Sequence, residues 1–268
     1  MTAAMNYKSS DKKMPAIFIG HGSPMNAIAN NDFTKFLNNL GQKIEKPKAI
    51  ILISAHWMTN GVRIESSLNP KTIHDFYGFP KDLYEIQYPA KGDETLIKRL
   101  EETLKARHVQ KDENWGLDHG AWSVLIHLFP KADVPVVQLS IDRNLSSLED
   151  HYNLAKELKN LREEGYMIMG SGNIVHNLRE ISFDKNLIMD WAREFDGYIK
   201  RGIETKDLSV LLAKEEKMFP LWKRAHPTLE HYIPLLYVMG VAHDFENATY
   251  PYEAFELGSL SMRAVIIA

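Results

Sequence analysis

Cysteine is absent from all 268 residues of the chain. Without a thiol, the protein can form no disulfide, no thiolate metal site, no iron–sulfur cluster and no cysteine nucleophile. Any bound metal ion must therefore be held by nitrogen and oxygen ligands, among which the imidazole of histidine is the commonest.

Long apolar runs and clusters of positive charge are also lacking. The longest uncharged apolar stretch, residues 232–242, is about half the ~20 residues that a membrane-spanning helix needs. The formal net charge is −3, and lysine and arginine are scattered along the chain, so no basic surface is expected for nucleic acid or an anionic membrane. We therefore expect a cytoplasmic protein, a monomer or a homodimer, whose partner is a small molecule rather than a nucleic acid or a membrane.

The rest of the composition is that of a globular chain, with 44% hydrophobic residues. Residues 1–13 are polar and charged and are predicted to form a flexible N-terminal tail. No repeat, low-complexity tract or Ser/Gly-rich linker divides the remainder of the chain, so residues 14–268 are predicted to form one domain.

Strand-like and helix-like patterns alternate along this domain. Apolar runs typical of buried strands lie at 16–20, 49–54, 134–140, 166–170 and 263–268. Patterns typical of helices lie near 31–40, 94–106, 121–128, 148–164, 187–202 and 228–241. The alternation predicts an α/β fold with helices on both faces of a layered sheet.

Histidine stands where three of the apolar runs give way to glycine, serine or asparagine. His21, His56 and His176 should each emerge near the carboxyl end of a strand, the edge at which open α/β sheets bind their ligands. Several imidazoles gathered at one edge favour a mononuclear metal site. The alternatives are a tight turn or anion nest around His21, a buried neutral imidazole at His56, and a general base at His176.

A fourth candidate ligand, His231, closes the phrase that begins at His226. Pro227 suits a first helical turn, and the apolar residues after it predict a buried helix. His231 would then enter the site from the top of the sheet. His226 is instead predicted to be a cap or a rim residue.

Residues 59–120 depart from the alternation, because they mix aromatic residues with glycine and proline. They predict long ordered loops at one sheet edge, which could form a pocket for a flat apolar ligand or simply pack on themselves. His74 in this stretch and Ser23 in the turn after His21 are candidate substrate contacts. Asp118 is predicted to cap a helix, and His119 either belongs to that helix start or acts as a proton donor or substrate contact.

Common nucleotide and hydrolase motifs are missing. Gly170-Ser-Gly lacks the third glycine of a dinucleotide fingerprint and the Lys-Ser/Thr of a nucleotide loop. No Gly-x-Ser-x-Gly elbow and no His-Glu-x-x-His is present, which weighs against a serine hydrolase and the common zinc proteases.

Several phrases, in their order along the chain, resemble one known family. They are Gly20-His-Gly-Ser-Pro-Met25, Ser54-Ala-His-Trp57, Ile73-His-Asp-Phe76, Gly116-Leu-Asp-His-Gly-Ala-Trp122, Gln138-Leu-Ser-Ile-Asp142, Gly172-Asn-Ile-Val-His-Asn-Leu178, Pro227-Thr-Leu-Glu-His-Tyr232 and Leu257-Gly-Ser-Leu-Ser-Met262. From about Pro15 to the carboxyl end, the chain is similar to the 4,5-DOPA extradiol dioxygenases. These are a branch of the class III, or LigB-type, extradiol ring-cleaving dioxygenases.

The resemblance implies a single-domain three-layer αβα sandwich around a mixed, mostly parallel sheet, and one non-haem metal ion. It also implies that a catechol is opened by O₂ beside its two hydroxyls, giving a muconic semialdehyde. By position, His21, His56 and His231 match the metal-binding places of the family. His176 matches a histidine that is a ligand in some members and the base in others, and His119 matches one linked to proton transfer or substrate contact.

The identity of the metal is open between two divalent ions. Fe(II) can pass an electron between a catechol and O₂, whereas Zn(II) has no accessible redox state but suits imidazole ligands and binds more tightly. Zn(II) is thus plausible as the bound ion, and Fe(II) is expected for the oxygen chemistry. LigB-type sites pair two histidines with one carboxylate, so Glu230 is an alternative ligand beside His231.

Two other classes of function remain open from the residues alone. The same ligands could lower the pKa of a metal-bound water toward ~7 and so serve a zinc-dependent hydrolase, which would work without O₂. A non-catalytic metal-binding protein would hold a coordinatively closed ion and turn nothing over. The Pro- and Tyr-rich stretch 74–90 favours an aromatic substrate over both alternatives.

Overall fold

The computed structural model describes residues 12–184 and 186–268. The predicted N-terminal tail, residues 1–13, therefore lies outside the described residues except for Lys12 and Lys13. Within the described ranges, no helix combines the length and the apolar character needed to cross a membrane.

The described residues form twelve strands, nine α-helices and four short 3-10 helices. The strands are β1 (Ala16–Gly20), β2 (Ala49–Ser54), β3 (Met58–Thr59), β4 (Arg63–Glu65), β5 (Gln110–Asp112), β6 (Val136–Gln138), β7 (Ile141–Asp142), β8 (Tyr166–Gly172), β9 (Ala248–Tyr252), β10 (Phe255–Glu256), β11 (Leu260–Ser261) and β12 (Ala264–Ile267). The α-helices are α1 (Asp32–Lys43), α2 (Lys81–Tyr84), α3 (Glu94–Thr103), α4 (His119–Leu128), α5 (Leu148–Glu157), α6 (Asp190–Thr205), α7 (Leu208–Leu211), α8 (Phe219–Ala225) and α9 (Ile233–Gly240). The 3-10 helices cover Pro24–Ala27, Lys105–Arg107, Lys159–Arg162 and Glu216–Met218.

The central sheet has the strand order β6-β2-β8-β1-β12-β9. Strands β6, β2, β8 and β1 are mutually parallel, whereas β12 and β9 are antiparallel to their neighbours. Gly20 pairs with Gly172, and Ser54 pairs with Ser171, so β1, β2 and β8 end at one level. The mixed, mostly parallel sheet confirms the predicted fold class and brings three carboxyl ends to one edge.

The parallel strands are apolar at most positions, so side chains on both faces of the sheet must be buried. Helices cover both faces. Side chains alternate along a strand, so Ile17 and Ile19 pack on one face and Ala16 and Phe18 on the other. Helices α1 and α4 cover the first face, and helices α3, α5, α6 and α9 cover the second. This arrangement is the predicted three-layer αβα sandwich.

The predicted start of the last long helix is wrong. Helix α9 begins at Ile233 with Pro234 in its first turn, so Pro227 does not open it. Residues 226–232 instead form a turn, in which the amide of Tyr232 donates to the carbonyl of Leu229 at 2.9 Å. His231 therefore lies in a turn before the helix rather than on the helix itself.

Candidate metal centre

Three histidines from distant parts of the chain meet at the carboxyl edge of the sheet. His21 directly follows β1, His56 lies two residues after β2, and His231 precedes α9. One ring nitrogen from each lies within 4.8 Å of the other two, and the Nε2 atoms of His21 and His56 are 3.1 Å apart. Imidazoles that share one ion at ~2.0–2.1 Å have their nitrogens at about this separation.

Close approach of the backbone makes this meeting possible. A Cβ atom at Gly172, the last residue of β8, would lie 2.1 Å from the carbonyl oxygen of His231. The next amide, that of Asn173, donates to the same carbonyl at 2.9 Å. Glycine at the end of β8 therefore lets the turn that carries His231 rest directly on the strand.

Ser171 determines which nitrogen of His21 is free. Its hydroxyl donates to the carbonyl of Gly120 at 2.6 Å, so it can only accept from His21 Nδ1, which is 3.0 Å away. With the proton on Nδ1, Nε2 carries the lone pair that faces His56. Metal-binding histidines are commonly oriented in this way, so the residues present fit a metal ion.

A buried carboxylate supports the segment that carries His56. The amide of His56 donates to the hydroxyl of Ser54 at 3.3 Å, and that hydroxyl donates to Asp118 Oδ1 at 2.6 Å. Asp118 also caps α4 through the amide of Ala121, as predicted from the sequence. Burial, followed by the nearby charge of Asp75, raises the pKa of Asp118, while the hydrogen bonds to the carboxylate oppose that rise.

Asp75 joins the site although the sequence patterns did not single it out. Its Oδ1 accepts from the amide of His119 at 2.9 Å, and its Oδ2 lies 2.9 Å from His119 Nδ1 and 3.7 Å from His56 Nδ1. Burial alone would raise the pKa of Asp75, but the hydrogen bonds and charge of His119 outweigh burial and lower it. The one sequence signal for this residue is its position directly after His74.

His176 lies face to face with His231. The two ring centroids are 3.4 Å apart and the ring planes differ by 4°. Glu230 Oε1 accepts from His231 Nδ1 at 3.2 Å and from the hydroxyl of Thr228 at 2.8 Å. Since Nδ1 of His231 is bound to Glu230, its Nε2 is the nitrogen left free for a metal ion.

Burial keeps the clustered imidazoles neutral. It is the main cause that lowers the pKa of His56 to about 3 and the pKa of His176 to about 4. Burial, together with the neighbouring histidines, also places the pKa values of His21 and His231 well below the ordinary range. Neutral imidazole is the form that offers a lone pair to a metal ion or to a proton.

The remaining candidates lie around this cluster rather than within it. His74 Nε2 donates to the carbonyl of Ile86 at 3.1 Å, and Phe76 lies between His74 and His119, with ring centroids 5.9 and 5.7 Å away. The hydroxyl of Ser23 accepts from the amide of Met25 at the start of a 3-10 helix. The roles of His74 and Ser23 as substrate contacts stay predictions, as do the metal and acid–base roles of the clustered histidines.

His226 closes helix α8 and is buried. Its Nε2 donates to the carbonyl of Ile174 at 2.7 Å, next to the rings of Trp222 and Tyr232. The predicted cap or rim position belonged to a helix opened by Pro227, whereas His226 lies at the end of α8, and the next helix begins at Ile233.

Comparison with known proteins agrees with the resemblance seen in the sequence. A family model described as the catalytic LigB subunit of aromatic ring-opening dioxygenase matches residues 14–257. A protein of Escherichia coli (strain K12) named 4,5-DOPA dioxygenase extradiol is 43% identical over 266 residues, which is 96% of each chain. A protein of Beta vulgaris with the same name is 37% identical and covers 94% of this chain and 96% of its own.

Solved structures give the same result for the fold. The crystal structure of an uncharacterized protein from Escherichia coli K12 matches this chain with a TM-score of 0.82 at 38% sequence identity. The match covers 95% of this chain and 100% of the other. Sequence, fold and the cluster of histidines together identify the chain as a member of the LigB family of aromatic ring-opening dioxygenases.

Proposed function

We propose that the protein opens the ring of a catechol beside its two hydroxyls, using O₂ and one Fe(II) ion, to give a muconic semialdehyde. The observation that carries the proposal is the convergence of ring nitrogens from His21, His56 and His231. These three residues are the proposed ligands. Three neutral ligands leave adjacent positions open, which a substrate binding through two oxygens requires.

Fe(II) is the proposed working ion because it can transfer single electrons between a bound catechol and O₂, which Zn(II) cannot do. Zinc can still fill the same imidazole site in isolated protein, since it binds more tightly. The hydrogen bonds from the outer nitrogens of His21 and His231 to Ser171 and Glu230 orient both rings for either ion.

His176 is the proposed base, and its stacking on His231 supports this role over that of a ligand. Imidazole lone pairs lie in the ring plane, and the two rings are parallel within 4°. The in-plane lone pairs of the two stacked rings therefore do not converge, so a metal ion would be held by His231 and not by His176. From this position, the neutral ring of His176 would accept the proton that a catechol hydroxyl releases on binding.

His119 is the proposed second acid–base group. Its ring centroid lies 3.9 Å from that of His56, Asp75 Oδ1 accepts from its backbone amide, and Asp75 Oδ2 lies 2.9 Å from its Nδ1. A proton on Nδ1 facing the carboxylate leaves Nε2 as the atom that would exchange protons with the substrate. Phe76 contacts the ring edge-on and would form an apolar wall for the aromatic substrate.

A DOPA-like catechol is the proposed substrate. The relatives from Escherichia coli and Beta vulgaris both carry the name 4,5-DOPA dioxygenase extradiol. The aromatic side chains around His74, namely Phe76, Tyr84 and Trp122, would suit a flat ring. His74 and Ser23 are the proposed residues at the border of this pocket.

Oxygen uptake tests the proposal. Metal-stripped protein is reconstituted anaerobically with Fe(II) or Zn(II) and given L-DOPA or a simple catechol, while O₂ and the absorbance of a yellow semialdehyde are followed. With Fe(II), we expect one O₂ consumed per ring opened, loss of turnover in His176→Asn with the metal retained, and normal turnover in the control His108→Asn, at an exposed histidine that does not belong to the cluster. Fe(II)-loaded protein that takes up no O₂ with any catechol would refute the proposal.

We also propose that residues 14–268 form one catalytic domain, acting in the cytoplasm as a monomer or homodimer. The single domain is supported by the central sheet, because one sheet contains both β1, near the start of the described residues, and β12, near residue 268. Light scattering of the purified protein would distinguish monomer from homodimer.

A further inference from the structure

Gln138, the last residue of β6, is joined by two hydrogen bonds to Asp118, the cap of α4. Its Nε2 donates to Asp118 Oδ2 at 2.8 Å, and its Oε1 accepts from the backbone amide of Asp118 at 3.3 Å. Because a backbone amide can only donate, the side-chain oxygen of Gln138 faces it and the nitrogen faces Oδ2. Both residues are fully buried, at 0% exposure.

The other carboxylate oxygen of Asp118 leads to His56. Oδ1 accepts from the hydroxyl of Ser54 at 2.6 Å and from the amide of Ala121 at 3.2 Å. The Ser54 hydroxyl in turn accepts from the amide of His56 at 3.3 Å. One carboxylate therefore joins the segment that carries His56 to the start of α4, whose first residue is His119.

The start of α4 also lies against the ring of His56. A Cβ atom at Gly120 would lie 3.0 Å from Cδ2 of His56 and 2.6 Å from the hydroxyl oxygen of Ser54. The ring centroids of His56 and His119 are 3.9 Å apart. A small displacement of the helix start would therefore change the separation between a proposed metal ligand and a proposed acid–base group.

Helix capping alone does not explain a carboxylate at position 118. Asparagine caps helices as well as aspartate does, and burying a charge costs free energy unless the charge is paired. In the described ranges, no lysine or arginine forms an ion pair with Asp118. A carboxylate differs from an amide in offering two acceptor oxygens, and Asp118 uses one for Ser54 and the other for Gln138.

We propose that Asp118 and Gln138 are a pair of positioning residues, which hold the metal ligand His56 and the acid–base group His119 at a fixed separation. The inference rests on the proposed function and adds to it two residues that act on the reaction through these histidines.

An exchange of donor and acceptor tests the pairing. In Asp118→Asn, the side-chain oxygen stays with Ser54 and Ala121, so the new amide nitrogen faces the Gln138 nitrogen and two donors oppose each other. We expect kcat of the Fe(II)-loaded enzyme with 4-methylcatechol to fall ~10- to 100-fold, with KM nearly unchanged. The visible absorption bands of the Co(II)-substituted protein should shift, because the ring of His56 moves relative to the ion.

The double variant Asp118→Asn with Gln138→Glu should restore both hydrogen bonds. The new carboxylate accepts from the backbone amide of residue 118 through one oxygen and from the new side-chain amide through the other. We expect kcat and the Co(II) spectrum to return most of the way to those of the wild type.

The matched control is Asp93→Asn, because Asp93 caps α3 through the amide of Leu96 and belongs to no group of clustered histidines. Its kcat and Co(II) spectrum should equal those of the wild type. A wild-type kcat and spectrum in Asp118→Asn, even with lower stability in urea, would overturn the proposal, and so would a double variant that recovers neither quantity. If the wild type opened no catechol, the proposed function would fail, whereas the Co(II) spectra would still test the positioning of His56.

Discussion

The hydroxyl of Ser171 determines which ring nitrogen of His21 carries the proton, and it is the one described hydrogen-bond partner of His21 Nδ1. It uses its hydrogen for Gly120 and so obliges His21 to keep a proton on Nδ1. In Ser171→Ala, either nitrogen of His21 can carry the proton, and the ring loses its anchor. We expect the affinity for Zn(II) to fall by about 10–100-fold, measured by competition with a chromogenic chelator.

The matched control for this change is Ser123→Ala. Ser123 is also buried, at 1% exposure, but its hydroxyl has no hydrogen-bond partner among the described residues. Its removal should leave metal affinity unchanged. Equal affinity in both variants would mean that Ser171 does not orient the ligand.

Asp75 plays the same orienting part for His119, because its Oδ2 lies 2.9 Å from His119 Nδ1. In Asp75→Asn, the carboxylate that faces Nδ1 becomes an amide, so His119 loses its fixed proton position. We expect kcat for catechol cleavage to fall by roughly 10²-fold, within the range attributed to general acid–base groups, while metal content stays that of the wild type. Turnover and metal analysis of the same samples measure both quantities.

Asp82→Asn provides the comparison, since Asp82 is an exposed residue of the nearby helix α2. The kcat and the metal content of Asp82→Asn should equal those of the wild type. A loss of metal in Asp75→Asn, in proportion to the lost activity, would assign Asp75 to the metal site rather than to His119.

At the level of elements, the contact between β8 and the turn before α9 depends on glycine. A Cβ atom at Gly172 would lie 2.1 Å from the backbone carbonyl oxygen of His231. Because this distance is too short for any real contact, the backbone at His231 would have to shift. We expect Gly172→Ala to lower the free energy of unfolding by about 1–3 kcal/mol and to weaken metal binding, because the shift moves His231. Urea denaturation and metal titration are the measurements.

Gly197 on helix α6 gives the opposite expectation for the same substitution. A Cβ there meets nothing closer than 3.8 Å. Gly197→Ala should raise the free energy of unfolding by about 0.5–1 kcal/mol, because alanine restricts the unfolded chain and favours the helix. If both variants were equally stable, steric contact at Gly172 would not be the reason for glycine.

The sequence predicted elements well where periodicity was strong and local. The apolar runs at β1, β2 and β8 coincide with strands whose every residue is buried. Helix α9 was extended too far toward its start because Pro227 and Pro234 both suit a first turn, and only the turn packed on β8 selects the second. Strand β9 was not predicted, since it lies at the sheet edge, is partly exposed and contains a proline.

At the scale of the whole molecule, the buried pair Arg162–Glu246 joins segments from both ends of the chain. The Arg162 guanidinium bonds Glu246 at 2.7 Å and the carbonyls of Met14, Val241 and Ile267, and both charged side chains are 0% exposed. Removing the carboxylate leaves a buried cation without its counter-charge. Glu246→Gln should lower the free energy of unfolding by about 3–5 kcal/mol at pH 7 in urea denaturation.

The contribution of this pair should depend on pH. Burial favours the neutral acid, but hydrogen bonds from Arg162, the amide of His243 and Lys13 prevail and lower the pKa of Glu246 from 4.5 to about 2. Because the folded-state value lies below the unfolded one, the stabilisation is complete above pH 4.5 and is lost as the pH falls toward 2. The stability difference between wild type and Glu246→Gln should therefore shrink over that range.

Glu164→Gln removes a similar two-pronged pair with Arg99 at the surface, where both side chains are 36% exposed. It should cost less than about 1 kcal/mol, because water screens the charges. If Glu164→Gln lowered the free energy of unfolding as much as Glu246→Gln, burial would not be the reason for the effect of Glu246→Gln.

The sequence by itself determined the α/β class, the family and the placing of His21, His56 and His176 at strand ends, because strand periodicity and short motifs are local properties. Only the tertiary structure decided how these imidazoles are oriented. Ser171 meets His21 across 150 residues, and Asp75 meets His119 across 44. Such contacts depend on strand order and on the path of a long loop, neither of which any local pattern of residues encodes.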